Sequence, residues 1–209
     1  MKGNFMKLFG ALLAGLLLLS TASWAEVTPP ATLKPTQLRT YGAVAPATIY
    51  VFTSFSCPHC ATFHAQIFPE LLKQTENGSV QVVLVEMPYD AKAMTATMLG
   101  RCLPPQNYEK FAGAVFDNQT AWYNASDPKS IMTGYAKMLG LNEADADACT
   151  RDKDLQFKIM EQRNNLSNLY GVTGMPTTVY VKGNTIKKFV GSDKNAVLNG
   201  VAELMKNKK

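Results

Sequence analysis

The stretch that decides the fold is residues 49–60, IYVFTSFSCPHC. Its first part, Ile49–Phe55, is rich in β-branched and aromatic residues and predicts a buried strand. Two cysteines separated by two residues, Cys57 and Cys60, follow at once. A helix is predicted to begin at Pro58, because proline is favoured in the first helical turn. The sequence therefore places a Cys-X-X-Cys pair where a strand gives way to a helix.

The chemistry expected of this pair follows from its position. The N–H groups of a first helical turn are free and favour an anion, and a thiolate is an anion. We therefore expect Cys57 to be a reactive thiolate with a lowered pKa, and Cys60, one turn further on, to be the more buried resolving thiol. Between them, Pro58 and His59 are predicted to tune the thiolate, His59 as a cation or hydrogen-bond donor. The alternative for the cysteine pair is a static structural bridge, and the alternative for His59 is an exposed side chain that affects only hydration.

The N-terminus carries an export pattern. Residues 1–25 combine Lys2 and Lys7, a leucine-rich apolar run and the small-x-small triplet Ser23-Trp24-Ala25, and so predict a cleaved signal peptide. An uncleaved anchor is the alternative, although the apolar run is short for a membrane span. We expect the mature chain to begin near Glu26 and to be soluble outside the cytoplasm, in an oxidising compartment.

Composition limits the fold and the partners. The chain has 209 residues, of which 46% are hydrophobic and 18% charged, typical of one globular domain with or without an insertion. The formal net charge of +5 includes Lys2 and Lys7, so the mature chain carries +3. Apart from the tail Lys206-Asn207-Lys208-Lys209, the basic residues are dispersed. They form no stripe with interleaved aromatics, and nucleic acid is excluded as a partner.

The order of predicted elements is β-α-β, a helical block, then β-β-α. After an extended segment over Glu26–Gln37, the first half contains a short edge strand, the Ile49–Phe55 strand, a helix and a second apolar strand. Their bounds are Leu38–Tyr41 for the edge strand, Pro58 to about Thr75 for the helix, and Val80–Glu86 for the second apolar strand. A strand-helix-strand unit of this kind implies two parallel strands joined by a right-handed crossover.

The second half is first helical and then returns to strands. Helical periodicity runs from Ala91 to about Tyr170, with starts predicted at Ala91, Pro104, Asp127-Pro128, Asn142 and Asp152. A hairpin of Thr177–Val181 and Thr185–Val190 follows, and Asp193 is predicted to cap a final helix. The two flanking parts are expected to form one mixed sheet, with the helical block inserted between them.

The four cysteines allow three pairings in an oxidising compartment. Cys57 and Cys60 are close enough to pair across one helical turn, which leaves Cys102 and Cys149 as a second bridge. His64 follows Cys60 by four residues, so His64, Cys60 and Cys57 are candidate metal ligands. A fourth ligand at a recognisable spacing is lacking, and we predict no metal site and treat His64 as an ordinary helix residue.

A proline after Gly174-Met175 adds a second signal. Pro176 stands directly before the predicted strand at Thr177, which makes it a candidate for a cis peptide bond. The alternative is a trans proline that opens an edge strand. Composition alone does not decide between them.

Two motifs carry a family resemblance. FSCPHC at 55–60, followed by a helical block and then VTGMPT at 172–177, resembles the DsbA family of thiol-disulfide oxidoreductases of the bacterial periplasm. The resemblance covers the chain from about residue 47 to the end. It implies an α/β, thioredoxin-like fold, with residues 26–87 and 171–209 in the thioredoxin-like domain and 88–170 in an inserted all-helical subdomain.

The resemblance also implies roles for single residues. Pro176 would be cis and face the cysteine pair, and Met175 would offer backbone hydrogen bonds to an extended substrate strand. Glu86, at the end of a strand beneath the active-site helix, would assist proton transfer to the inner cysteine. A Glu86 that faces water is the alternative. Cys102 and Cys149 are similar to the second, structural bridge of the α-proteobacterial-type branch, with a redox relay as the alternative.

The predicted function is that of a periplasmic dithiol oxidase, in which the disulfide of Cys57 and Cys60 passes to reduced, unfolded secreted proteins through a mixed disulfide on Cys57. The step needs no metal or organic cofactor. A membrane quinone reductase of the DsbB type would reoxidise the pair, and the chain is predicted to be a monomer. A disulfide isomerase or reductase on the same fold, and a non-catalytic module that holds a substrate or a metal, are the alternatives.

Overall fold

A computed structural model describes residues 37–206 of the chain. The signal peptide predicted for residues 1–25, nearly all of the extended segment predicted before residue 38, and the last three residues of the lysine-rich tail lie outside this range. Within it, every helix is too short or too polar to cross a lipid bilayer.

A mixed sheet of five strands within the described residues forms the centre of the fold, in the order β1-β3-β2-β4-β5. The strands are β1 (Arg39–Tyr41), β2 (Ala47–Thr53), β3 (Val80–Glu86), β4 (Thr177–Lys182) and β5 (Thr185–Val190). β2 and β3 are parallel, with Thr53 opposite Glu86, and the other neighbours are antiparallel. The predicted parallel pair and the predicted hairpin are confirmed.

Nine α-helices within residues 37–206 surround the sheet. They are α1 (Pro58–Gln66), α2 (Phe68–Lys73), α3 (Ala91–Cys102), α4 (Tyr108–Asp117), α5 (Gln119–Tyr123), α6 (Pro128–Met138), α7 (Glu143–Arg151), α8 (Lys153–Tyr170) and α9 (Lys194–Lys206). Helices α3 to α8 come between β3 and β4 in the chain, and we refer to them as the helical insertion. The predicted α/β, thioredoxin-like class is confirmed, while the division of the chain at residues 88 and 170 stays a prediction.

Prolines explain where the predicted helices differ from the observed ones. The single helix predicted from Pro58 to about Thr75 is wrong, because the chain breaks at Ile67 into α1 and α2. Pro69 lacks an N–H group and its ring clashes with the preceding turn, which interrupts a helix. The helix predicted from Pro104 begins at Tyr108 instead, after a short 3-10 turn at Pro105–Asn107.

Polar caps fix the predicted starts of the later helices. The side chains of Asp127, Asn142 and Asp193 accept hydrogen bonds from backbone N–H groups three residues ahead, at 3.0, 2.9 and 3.0 Å. Each bond satisfies a donor that the first helical turn would leave free. α8 ends at Gly171, whose φ of 59° lies in the left-handed region that glycine adopts at low cost.

The core lies on both faces of the sheet. One face packs Ile49 and Val51 of β2 against α1, α4 and the C-terminal helix, and the other packs Phe52 and its neighbours beneath Tyr170 of α8. The strand that leads to the cysteine pair, β2, is therefore central and covered on both sides. β5 is an edge strand, and Ile186 and Val190 on it are exposed.

A disulfide joins Cys102, the last residue of α3, to Cys149 in α7. The two residues are 47 apart in sequence, and their Cα atoms are 6.3 Å apart. The predicted second bridge is confirmed. It ties two helices of the insertion together beside an apolar cluster that includes Met98 and Ile159.

Candidate active site

The cysteine pair lies between the end of β2 and the first turn of α1, as predicted. Cys57 is the N-cap of α1, with an extended backbone, and Pro58 is the first helical residue. The Cys57 carbonyl accepts bonds from the N–H groups of Cys60 and Ala61 at 3.0 and 3.2 Å. Both cysteines are free thiols, 8% exposed at Cys57 and 0% at Cys60. Both residues are buried, and Cys57 is the more exposed of the two.

The pKa of the Cys57 thiol is lowered from 9.0 to about 6. The largest cause is a hydrogen bond from the Cys60 side chain, followed among the lowering effects by the backbone N–H groups of Cys60 and His59. The charge of the His59 side chain contributes least of these, and burial acts in the opposite direction. At pH 7 a pKa of about 6 leaves about ten thiolates for each thiol. Cys57 is thus the anionic member of the pair, mainly through its partner cysteine.

The pKa of Cys60 is raised well above its ordinary value. The hydrogen bond to Cys57 holds the proton on Cys60, and burial penalises the charged form. The backbone N–H of Ser54, 3.4 Å from the Cys60 sulfur, and the Thr53 side chain act in the opposite direction. One thiol of the pair is therefore ionised while the other keeps its proton.

The segment before β4 lies next to Cys57. The peptide bond between Met175 and Pro176 is cis, which confirms the prediction. The Cys57 sulfur is 3.7 Å from the Met175 carbonyl oxygen, to which it can donate only in its protonated form. The buried Pro176 accepts a bond from the N–H of Gly191 through its carbonyl, at 2.8 Å. The Met175-Pro176 loop thus forms one wall of the cysteine site.

Glu86 is buried in an ion pair with Arg101. The two side chains are joined by bonds of 2.5 and 2.8 Å, and the hydroxyl of Tyr108 donates to the same carboxylate at 3.1 Å. Since Glu86 is 2% exposed, the alternative of a residue that faces water is wrong. Glu86 lies opposite Thr53 in the sheet, and the Thr53 side chain bonds Cys60. A role for Glu86 in proton transfer stays a prediction.

Arg39 is a buried cation that sequence reasoning missed. Its Nη2 donates to the carbonyls of Gly100, Arg101 and Leu103 at 2.9, 2.9 and 3.1 Å. Its guanidinium also lies 5.0 Å from the centroid of the Tyr108 ring. These carbonyls belong to the end of α3, where cations are favoured. Arg39 thereby joins the edge strand β1 to the helix end that carries the disulfide.

His64 lies in helix α1, and its side chain has partners on other elements. Its Nε2 is 3.2 Å from a Glu109 carboxylate oxygen, and its ring stacks on Phe68 and contacts Phe116. The Tyr41 hydroxyl donates to the same carboxylate. His64 therefore links α1 to α4. Among residues 37–206, His, Cys, Asp and Glu side chains form no group of three that could hold a metal ion.

Two further contacts connect the cysteine segment to the insertion, and sequence reasoning missed both. The Ser56 hydroxyl donates to Asp90 at 2.6 Å, and Asp90 also caps α3 through the N–H of Ala93 at 2.7 Å. Gln119 of α5 donates to the carbonyl of Phe55 at 2.6 Å. The residues just before Cys57 are therefore fixed from two sides.

Solved structures resemble this fold. The crystal structure of Wolbachia pipientis alpha-DsbA1 matches with a TM-score of 0.72 and 24% identity, over 81% of this chain and 92% of that one. Chlamydia trachomatis DsbA matches with a TM-score of 0.64 and 21% identity, over 84% of this chain and 98% of that one. Both support a DsbA-type fold, with helices inserted between strands.

Sequence relatives point the same way. Disulfide bond formation protein D of Bacillus subtilis is 23% identical over 154 residues, which cover 71% of this chain and 69% of that protein. A protein of Rickettsia bellii, provisionally named a protein-disulfide oxidoreductase, is 23% identical over 159 residues. That match covers 75% of this chain and 61% of the rickettsial protein, and other rickettsial relatives are matched over about half their length.

The sequence model of the thioredoxin family matches residues 36–196. This match takes in the cysteine pair, the cis-proline loop and the whole helical insertion. The chain therefore belongs to the thioredoxin family, and its fold resembles that of the DsbA structures.

Proposed function

We propose that this chain is a periplasmic protein dithiol oxidase. In this proposal it passes the disulfide of Cys57 and Cys60 to reduced, folding secreted proteins. The observation that carries the proposal is the asymmetry of the pair. Cys57 is the more exposed of the two and has a pKa lowered to about 6, whereas Cys60 is fully buried and keeps its proton. A disulfide whose reduced form is stabilised in this way is an oxidant.

The electrons balance over two exchanges. A substrate thiolate attacks the Cys57 sulfur of the oxidised pair, a substrate–Cys57 bond forms, and Cys60 leaves with the electron pair and takes up a proton. The second substrate thiolate then attacks the substrate sulfur of this mixed disulfide, and Cys57 leaves as a thiolate. The substrate loses two electrons and gains a disulfide, and the protein gains both electrons as its reduced pair.

The lowered pKa of Cys57 favours the second exchange. A thiol of lower pKa is the better leaving group, so the mixed disulfide opens towards release of Cys57. The Met175 carbonyl, 3.7 Å from the Cys57 sulfur, is placed to accept a backbone N–H from an extended substrate segment. The roles of Pro58 and His59 are then to supply the helix start and a backbone N–H to the thiolate.

The export pattern of residues 1–25 supports a periplasmic location. After each cycle the reduced pair has to return two electrons to an acceptor, and we propose a membrane quinone reductase of the DsbB type for this step. We further propose that the chain acts as a monomer and that its thiol exchange uses no metal or organic cofactor.

The redox potential tests the proposal. The chain is equilibrated with reduced and oxidised glutathione, and the fraction of the Cys57–Cys60 disulfide is measured by mass spectrometry after alkylation. We expect a strongly oxidising potential, together with rapid oxidation of dithiothreitol. A potential as reducing as that of thioredoxin, about −270 mV, would refute the oxidase and favour a reductase. Repair of a scrambled disulfide protein without net oxidation would favour the isomerase.

A further inference from the structure

The segment between β2 and α1 is tied to the segment between β3 and α3. The two strands are parallel, and the N–H of Met87 donates to the Thr53 carbonyl at 2.7 Å, just beyond the last residue pair of the strands. Further along both segments, the Ser56 hydroxyl donates to Asp90 at 2.6 Å. A hydrogen bond to a charged carboxylate is about twice as strong as one between neutral groups. The residue directly before Cys57 is therefore bonded through its side chain to the start of the helical insertion.

The Asp90 carboxylate has two partners, one for each oxygen. Oδ2 accepts from Ser56, and Oδ1 accepts from the N–H of Ala93 at 2.7 Å, which caps α3. Serine and asparagine cap a helix about as well as aspartate does. The bond to Ser56 needs an atom at the Oδ position, which a serine lacks. The cap of α3 alone therefore does not account for the second oxygen.

The peptide groups on either side of Ser56 are also fixed. The Phe55 carbonyl accepts from Gln119 at 2.6 Å, and the Cys57 N–H donates to the Ser54 carbonyl at 3.1 Å. Ser56 itself is 7% exposed. Its hydroxyl bond is thus a third constraint on this residue, and it is the one that a side-chain substitution can remove.

The position of the Cys57 sulfur depends on this segment. Cys57 has an extended backbone as the N-cap of α1, and the backbone N–H groups of His59 and Cys60 hydrogen-bond its sulfur. Such bonds weaken steeply when their distance or angle departs from the optimum. If Ser56 were free to rotate, the sulfur would spend more time away from these donors and its thiolate would be less favoured.

We propose that Asp90 is a positioning residue of the thiol exchange, which acts through Ser56 to hold the Cys57 sulfur at the backbone donors of α1. This role rests on the proposed function, because it concerns the same cysteine and the same exchange. It differs from a purely structural role in one respect. The effect of Asp90 on the sulfur has to disappear when residue 56 lacks its hydroxyl.

Three variants separate the bond to Ser56, the cap of α3 and the charge of Asp90. Ser56→Ala removes the bond and leaves the carboxylate in place. Asp90→Ser keeps a cap for α3 but does not reach Ser56. Asp90→Asn removes the charge and keeps both contacts, since its oxygen accepts from Ala93 and its amide N–H donates to the Ser56 hydroxyl oxygen. All three leave unchanged the titratable groups that interact with Cys57, namely Cys60, His59 and Tyr89.

The test measures both halves of the redox cycle. Each reduced variant is alkylated with iodoacetamide over a range of pH, and each oxidised variant is mixed with dithiothreitol at pH 7. We expect Ser56→Ala and Asp90→Ser to raise the midpoint of Cys57 alkylation by about 0.5–1 pH unit, a threefold to tenfold loss of thiolate relative to thiol. The rate constant of dithiothreitol oxidation should fall about twofold to fivefold. Asp90→Asn should stay close to the wild type.

Combining Ser56→Ala with Asp90→Ser should change neither measurement beyond the single variants, because both remove the same bond. The matched control is Asp127→Ser, which changes the cap of α6 in the same way and should behave as the wild type.

Three results would overturn the role of Asp90. They are a Ser56→Ala variant that matches the wild type, effects that multiply in the combined variant, and an Asp90→Asn variant as impaired as Asp90→Ser. The last result would assign the effect to the charge. Failure of the proposed function looks different, because the wild type would then not oxidise dithiothreitol, while the alkylation midpoints would still report on the bond between Ser56 and Asp90.

Discussion

The two cysteine pairs of this chain are built in opposite ways. Cys57 and Cys60 are free thiols three positions apart at the start of a helix, and one of them is ionised at neutral pH. Cys102 and Cys149 are bonded, lie 47 positions apart and join two helices of the insertion. One pair sits beside backbone donors that favour a thiolate, and the other sits beside an apolar cluster.

The difference shows how placement decides what a disulfide does. A bridge across two residues closes almost no loop, so its loss costs little chain entropy and it can be exchanged. A bridge across a separation of 47 restricts the unfolded chain by about 4 kcal/mol in the chain-entropy model. We therefore expect the first pair to govern activity and the second to govern stability.

The largest effect should come from Cys57→Ser. Without the Cys57 sulfur no disulfide can be attacked, and the rate of dithiothreitol oxidation should fall at least about a thousandfold. At pH 7 the free energy of unfolding of the reduced protein should fall only by the contribution of the Cys57 thiolate, about 1 kcal/mol. Cys102→Ala combined with Cys149→Ala is the control, and should keep the activity at temperatures where it stays folded. Activity that survives in the Cys57 variant would show that the Cys57–Cys60 pair does not govern activity.

The next effect is on stability. Removing both Cys102 and Cys149 by alanine substitution should lower the free energy of unfolding by about 4 kcal/mol. Urea denaturation at pH 7, with the Cys57–Cys60 pair oxidised in both proteins, measures this difference. A loss of unfolding free energy below about 1 kcal/mol would mean that the Cys102–Cys149 disulfide constrains the unfolded chain far less than its sequence separation suggests.

A smaller loss is expected for Arg39→Met. Arg39 bonds three carbonyls around the end of α3, including those of Arg101 and Leu103 on either side of Cys102. Loss of this charged donor should cost about 2–3 kcal/mol in urea denaturation. The control Arg151→Met removes an exposed arginine and should stay within about 0.5 kcal/mol of the wild type. Equal losses of unfolding free energy in Arg39→Met and Arg151→Met would show that the Arg39 bonds add nothing and that the disulfide alone fixes the end of α3.

The finest test concerns the cause of the low thiol pKa. The rate of Cys57 alkylation against pH should give a midpoint near 6 in the reduced protein. Cys60→Ala removes the largest cause and should raise this midpoint towards 9, while His59→Ala should raise it much less. A larger shift in the His59 variant would assign the tuning to the imidazole instead.

The same pKa predicts a pH dependence of redox stability. Cys57 titrates near 6 in the folded reduced protein and near 9 as an ordinary thiol. The stability that Cys57 adds to the reduced form is therefore complete above pH 9, declines as pH falls from 9 to 6, and is absent below 6. The melting temperature of the reduced form relative to the oxidised form should rise across this range. A difference that stays constant with pH would contradict the thiolate as its source.

Local signals made most of the fold predictable. The strands β2 and β3 are apolar runs, and the starts of α6, α7 and α9 are marked by Asp127, Asn142 and Asp193. Such features act within a few residues, so they can be interpreted before the tertiary structure is known. The break at Ile67 was also available in principle, since Pro69 is visible in the sequence.

The contacts that build the site were harder to predict from the sequence. Glu86 and Arg101 are 15 residues apart, and Arg39 reaches carbonyls more than 60 residues away. Pairings of this kind depend on how the elements pack. A usable signal was present for one of them, because Glu86 and Arg101 are opposite charges within otherwise apolar segments. For the short helix α5, whose Trp122 is buried, five residues gave too little periodicity to detect.

The exposed edge strand β5 has a consequence for self-association. An edge strand offers unpaired backbone groups to any extended chain, and this protein is proposed to work among unfolded ones. Between the exposed Ile186 and Val190, β5 carries Lys187 and Lys188. Two copies that aligned edge to edge would bring these like charges together, which disfavours continuous sheet growth. The two lysines thus disfavour edge-to-edge aggregation through β5. They lie on a different strand from β2, which leads to the cysteine pair.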